Sequence, residues 1–122
     1  MRPDSVERIA ETGVIAILRG VSVEDAPDVA AAVTEGGVAA LEITADTPNV
    51  TAAIEAVADR VDAAVGVGTV LDAETARAAQ LAGAEFVVTP TVNRAVIRTA
   101  NRYGTPIAAG AYTPTEALDP FE

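Results

Sequence analysis

Five short apolar runs punctuate the chain, at residues 14–18, 38–43, 64–67, 86–88 and 106–109. All are dominated by Val, Ile and Ala without a strict alternation of polar and apolar positions, which is the pattern of strands buried on both faces. Between them apolar residues recur at helical spacing. Ala26, Val29, Ala30 and Val33 form one such stripe, and Val50, Ala53, Ile54 and Val57 the next. Helix starts are marked by residues able to accept the first free backbone N–H groups, or by a proline that loses nothing at the first position. Ser22 precedes one helix, Thr47-Pro48 opens the second, Asp72 the third and Asn93 the fourth. Thr113-Pro114-Thr115-Glu116 reads as a capping box for a fifth. Gly36-Gly37, Gly83 and Gly104 supply stops, and a short helix from Asp4 to Thr12-Gly13 comes before the first strand.

Strands alternating with helices imply a parallel sheet joined by right-handed crossovers, in a single domain over residues 1–122. Two architectures fit. An open doubly wound sheet of five strands is complete at this length. A closed (βα)8 barrel of the TIM type at the same repeat needs about 200 residues, so this chain would supply its leading helix and first five βα units. The turn after the first run, Leu18-Arg19-Gly20-Val21-Ser22, lacks the glycine pattern of a dinucleotide site. Gly66-Val67-Gly68-Thr69 reads either as a tight turn into a helix or as a place where backbone approaches a ligand.

Composition narrows the chemistry. The formal net charge is -10, and all eight basic residues are arginines, with no lysine. Such a surface disfavours nucleic acid and anionic membranes, whose binding requires cations. Absence of Cys and His removes thiol chemistry and the commonest metal ligand and general base. The run at 14–18 is far too short for a membrane span or signal core, so a cytoplasmic location is expected.

In either architecture ligands sit at the carboxyl ends of the parallel strands. The residues found there are Arg19, Glu42, Thr44, Thr69, Thr89-Pro90 and the stretch 110–113. Glu42 stands out because it interrupts Ala39-Ala40-Leu41-Glu42-Ile43, and a carboxylate in a buried strand is costly unless paired or used. It is either a structural salt-bridge partner of Arg19 or a general acid/base tuned by burial and that arginine. Arg19 either snorkels over the rim or binds a substrate carboxylate. Thr69 offers a hydroxyl and neighbouring N–H groups, and Pro90 reads as a stop after a strand. Glu24, Asp25, Asp28, Asp59, Asp62 and Glu85 read as solvated charges on helices and turns.

Taken together, residues 14–20, Leu41-Glu42-Ile43-Thr44, Gly66-Val67-Gly68-Thr69-Val70-Leu71 and Val87-Val88-Thr89-Pro90 resemble the 2-keto-3-deoxy-6-phosphogluconate and 2-keto-3-deoxy-6-phosphogalactonate aldolases. The resemblance runs from Thr12 to Leu118. It implies a TIM-type barrel, a homotrimer, and class I cleavage of a sugar-acid phosphate to pyruvate and glyceraldehyde 3-phosphate, with no metal or organic cofactor. It also implies that Glu42 is the catalytic proton shuttle, that Arg19 lies near the substrate, and that Thr69 and Pro90 line the pyruvate pocket. Where some members carry an arginine four residues after the glutamate, this chain has Asp46. The Schiff-base lysine of the family lies beyond the segment matching Ala111 to Leu118, so these 122 residues are expected to be inactive alone and to be the N-terminal part of a longer enzyme. Two alternatives stay open: an epimerase or synthase of the phosphate-binding barrels, and a noncatalytic half-barrel that acts by self-association.

The excess of carboxylates over basic residues, without lysine, also suits high salt, where hydrated acidic side chains keep a protein in solution and self-repulsion is screened. Lowering the salt should then unfold the protein, seen as loss of far-UV circular dichroism on dialysis.

Overall fold

The computed structural model describes residues 4–121. A first helix, α1 (Asp4–Thr12), leads into five strand–helix units: β1 (Ala16–Leu18), α2 (Ala26–Glu35), β2 (Ala40–Thr44), α3 (Val50–Arg60), β3 (Ala64–Gly68), α4 (Ala73–Leu81), β4 (Phe86–Thr89), α5 (Arg94–Arg102), β5 (Ile107–Ala109) and α6 (Pro114–Leu118). All strand pairs are parallel, and their spatial order is β1-β2-β3-β4-β5. That order decides between the two architectures. A doubly wound sheet reverses direction at a switch point and places helices on both faces, whereas a strand order that follows the chain winds one way and keeps its helices on one side. The five strands are an arc of a TIM-type barrel.

The two faces of the arc differ in content. Alternate strand residues Leu18, Leu41, Ile43, Val65, Val67 and Val87 meet Ala26, Ala30, Ala53, Ile54, Val57, Ala76, Ala79 and Val96 from the helices in one continuous core. Alanine on the helix side lets the backbones approach closely. Each fully buried Leu, Ile or Val contributes about 1.5–3 kcal/mol. On the concave face a smaller cluster of Ala40, Ala64 and Phe86 is closed at the amino end by Ile9 of α1 and by Ile15. Ser5 and Arg8 anchor α1 there, Ser5 Oγ donating to the Glu85 carbonyl and Arg8 donating to the Asp62 carbonyl and carboxylate.

Several local expectations need correction. The helix expected from Pro48 begins at Val50, because Asn49 takes a left-handed conformation, φ 56°, and places Pro48 in the turn. Similarly, Ser22 caps a turn by accepting from the Asp25 N–H, and α2 starts at Ala26. Val29 is exposed; α2 packs against α3 on one flank and buries only Ala26, Ala30 and Ala31, so its buried stripe is narrow. Asp62 and Glu85 are engaged as well as solvated, the former with Arg8 and the latter accepting from the Val65 N–H. The caps at Asp72, Asn93 and Thr113 form as expected. Among the described residues no helix is long and apolar enough to cross a membrane.

Gly66 and Gly68 are not a turn but lie inside β3. A Cβ on Gly66 would overlap the Phe86 ring, and one on Gly68 would overlap the Glu42 carboxyl. Substituting Gly66→Ala should therefore force Phe86 out of its seat and cost about 1–3 kcal/mol, measured as a lower urea midpoint with unchanged m-value.

Candidate active site

Glu42 occupies the middle of β2, paired in register with Ile17 of β1 and Gly66 of β3. The strand is buried at every position. Pleating turns Glu42 to the concave face with Ala40 and Thr44, while Leu41 and Ile43 go to the helices. Its carboxyl lies over Gly68, where any side chain on β3 would occupy the same space. Burial pushes this carboxyl above the usual glutamate range, and the positive charge of Arg19 offsets only part of that effect. The residue is 4% exposed, and no described residue donates a hydrogen bond to its oxygens.

Arg19 follows β1 directly. From that edge its guanidinium crosses the end of β2 to the loop after β3: NH1 donates to Asp46 Oδ2 at 2.8 Å, and NH2 donates to Thr69 Oγ1 at 3.1 Å. The structural reading of Glu42, a salt bridge to Arg19, is therefore not realised. Asp46, two residues past β2, takes the arginine instead; it is the nearer carboxylate at the level of the strand ends, whereas Glu42 sits lower in the sheet. The Thr44 hydroxyl beside it, followed by the charge of Arg19, holds the Asp46 carboxyl below its ordinary range. Thr44 is fully buried, its hydroxyl 3.3 Å from that of Thr47, which in turn accepts from the Gly20 N–H.

Thr69 adopts φ 54°. Left-handed backbone is uncommon for any residue with a Cβ and an outlier for a β-branched one. The conformation carries Thr69 Oγ1 to Arg19 and lets the chain turn toward α4. There Asp72 accepts from the Thr75 N–H as the cap, so Thr69 is not needed for that task. Pro90 is exposed just after β4. Its carbonyl crowds Gly110, whose N–H donates to the Thr89 carbonyl, so the backbones after β4 and β5 meet closely here.

Arg19 and Thr69 thus meet at the carboxyl ends of β1 and β3, Glu42 lies below them in the middle of β2 within the field of Arg19, and Pro90 stands one strand further along. Sequence reasoning singled out these four but gave Asp46 no partner, although its position in the turn after β2, level with Arg19 in the turn after β1, was a signal. A groove between α5, β5 and α6, lined by Ile97, Pro106, Ile107 and Ala117, lies on the helix side of the sheet, away from this group.

The chain as a whole has relatives among known proteins. Residues 6–121 match the family model described as KDPG and KHG aldolase. A 2-dehydro-3-deoxy-phosphogluconate aldolase of Treponema pallidum (strain Nichols) is 38% identical over 93% of this chain and 53% of its own length. A 2-dehydro-3-deoxy-6-phosphogalactonate aldolase of Escherichia coli (strain K12) is 37% identical over 88% of this chain and 54% of its own. The crystal structure of a KDPG aldolase from Legionella pneumophila, with pyruvate captured as a covalent carbinolamine intermediate, superposes with a TM-score of 0.81 at 27% identity, over 88% of this chain and 52% of that one. The chain spans about half the length of the relatives it matches. With its arc of parallel strands and the family match extending over nearly all its residues, this chain belongs to the KDPG and KHG aldolase family.

Proposed function

We propose that residues 1–122 carry the proton-transfer side of a class I aldolase that cleaves 2-keto-3-deoxy-6-phosphogluconate, its galactonate epimer or both, to pyruvate and glyceraldehyde 3-phosphate. The single observation that carries this reading is the buried carboxyl of Glu42, seated over Gly68 at the site end of a parallel strand and holding its proton more tightly than a solvated glutamate. A group so placed can both accept and return a proton in a relay. The carbinolamine captured in the Legionella pneumophila relative supports imine chemistry.

In this reading a lysine amine adds to the C2 carbonyl, and loss of water from the carbinolamine leaves an imine. The C3–C4 bond then breaks, its electron pair passing into the imine to give an enamine while the C4 hydroxyl loses its proton and becomes the aldehyde. A proton delivered to C3 gives the pyruvate imine, which water hydrolyses. Glu42 moves protons through water in these steps, Arg19 and Thr69 orient the ligand, and Pro90 borders the pyruvate end. The lysine is supplied from outside these residues, which contain none. Assembly as a homotrimer in the cytoplasm, without metal or organic cofactor, belongs to the same reading; exposed Leu81 and Tyr103 offer apolar surface for a subunit contact.

Borohydride with pyruvate should add a stable covalent mass to the complete polypeptide carrying this chain and the lysine, and none to residues 1–122 alone. Absence of an adduct on the complete polypeptide would return the assignment to an epimerase or synthase. Replacing Glu42→Gln in the complete enzyme should lower kcat by about 10²–10⁴-fold. The same change bears on stability. Because the folded state raises the Glu42 pKa, the contribution of this group is fully present below the ordinary glutamate range and is lost as pH rises through the raised value. Urea midpoints of the parent and E42Q should therefore differ least in acid, with the variant gaining on the parent as pH rises.

A further inference from the structure

Two carboxylates and one hydroxyl surround Arg19, and the structure distributes its donors among them unevenly. Asp46 takes NH1, Thr69 takes NH2, and Glu42 feels the charge without bonding to it. Were Arg19 to turn down into the sheet, a direct ion pair with Glu42 in that less polar setting would be stronger than the half-exposed contact with Asp46. A glutamate so paired stays ionised and makes a poor proton carrier near neutral pH.

We propose that Asp46 is a positioning residue, which draws the Arg19 guanidinium up to the strand ends against Thr69 and so keeps it off the Glu42 carboxyl. The proposal rests on the reading of Glu42 as the proton carrier. Little else around Glu42 competes for that part. The neighbouring strands place Ile17 from β1, Gly66 and Gly68 from β3 and Phe86 from β4 on the concave face, and α1 contributes Ile9 at the far end. Asp72, the next carboxylate after Thr69, is occupied by the N–H and hydroxyl of Thr75. Among the described residues Arg19 is therefore the charged group at the site end of β1 to β3 that acts on Glu42, and Asp46 is the carboxylate that holds Arg19. In the complete enzyme the imine-forming lysine joins them.

The assignment makes Asp46 act through Arg19, and a mutant cycle in the complete enzyme tests this. In Asp46→Asn the arginine loses its ionic anchor, so kcat should fall about tenfold with a smaller change in KM. The acid limb of the kcat profile should move to lower pH. Asp46→Glu, which keeps the carboxylate, should restore most of both. In an Arg19→Met background the Asp46→Asn change should leave the acid limb where it was. Should Asp46→Asn fail to fold, Asp46→Ser takes its place with the same readouts. Wild-type kcat and pH profile in Asp46→Asn would overturn the proposal, as would an equal shift in the Arg19→Met background, which would mean that Asp46 acts on Glu42 directly. Both results leave the aldolase reading standing if E42Q is inactive. An active E42Q removes Glu42 from proton transfer and takes this proposal with it.

Discussion

The site depends on two side chains that are missing. Along β3, valine faces the helices and glycine faces the concave side, so the sheet is packed on one surface and hollow on the other. Phe86 fills the hollow over Gly66 and the Glu42 carboxyl fills it over Gly68. A carboxylate in a buried parallel strand would otherwise have nowhere to lie, and it is this space, rather than an ion pair, that admits it. The cost is a desolvated acid, whose pKa burial pushes above the usual glutamate range. The proposed function thus rests on a packing vacancy on one strand and a polar residue on the next.

Above that layer the strand ends form a separate polar tier. Arg19, Asp46, Thr69, Thr44 and Thr47 are tied together by contacts between the first, second and third strand-end segments. Because the strand order follows the chain, these segments are neighbours in space as well as in sequence. No long-range crossing is needed to assemble the group, and it forms with the same backbone pairing that forms the sheet. Charge is handled in the same economical way. In a chain with a strong acidic excess, Arg19 at this mouth is shared by a surface carboxylate and a hydroxyl instead of being drawn into the sheet.

Much of this could be read from the residues, and the exceptions have physical causes. All five strands were visible as apolar runs, since burial on both faces leaves no polar interruption other than a meaningful one; Glu42 was conspicuous for that reason. Helix caps at Asp72, Asn93 and Thr113 are local hydrogen bonds and were equally plain. The start of α3 was misread because Pro48 also suits a turn, and the left-handed conformation of Asn49 is not written in its identity. Gly66 and Gly68 were ambiguous because their purpose lies on the adjoining strands, in Phe86 and Glu42, and becomes clear only once the register is fixed. Arg19 had two acids within plausible reach, and its choice of Asp46 depends on heights within the sheet that no spacing rule supplies. The order of the strands, which separates a barrel arc from an open sheet, was likewise beyond periodicity, because both architectures share the same alternation of elements.

In the proposed function Thr69 sets stability against activity at one backbone angle. Left-handed geometry at a threonine costs on the order of 1–3 kcal/mol, and glycine or asparagine at that place would relax it. A selection for heat resistance alone would drift toward those residues. It would discard the hydroxyl that gives the arginine its second anchor, so the hardiest descendants of this fold would be expected to be its slower catalysts.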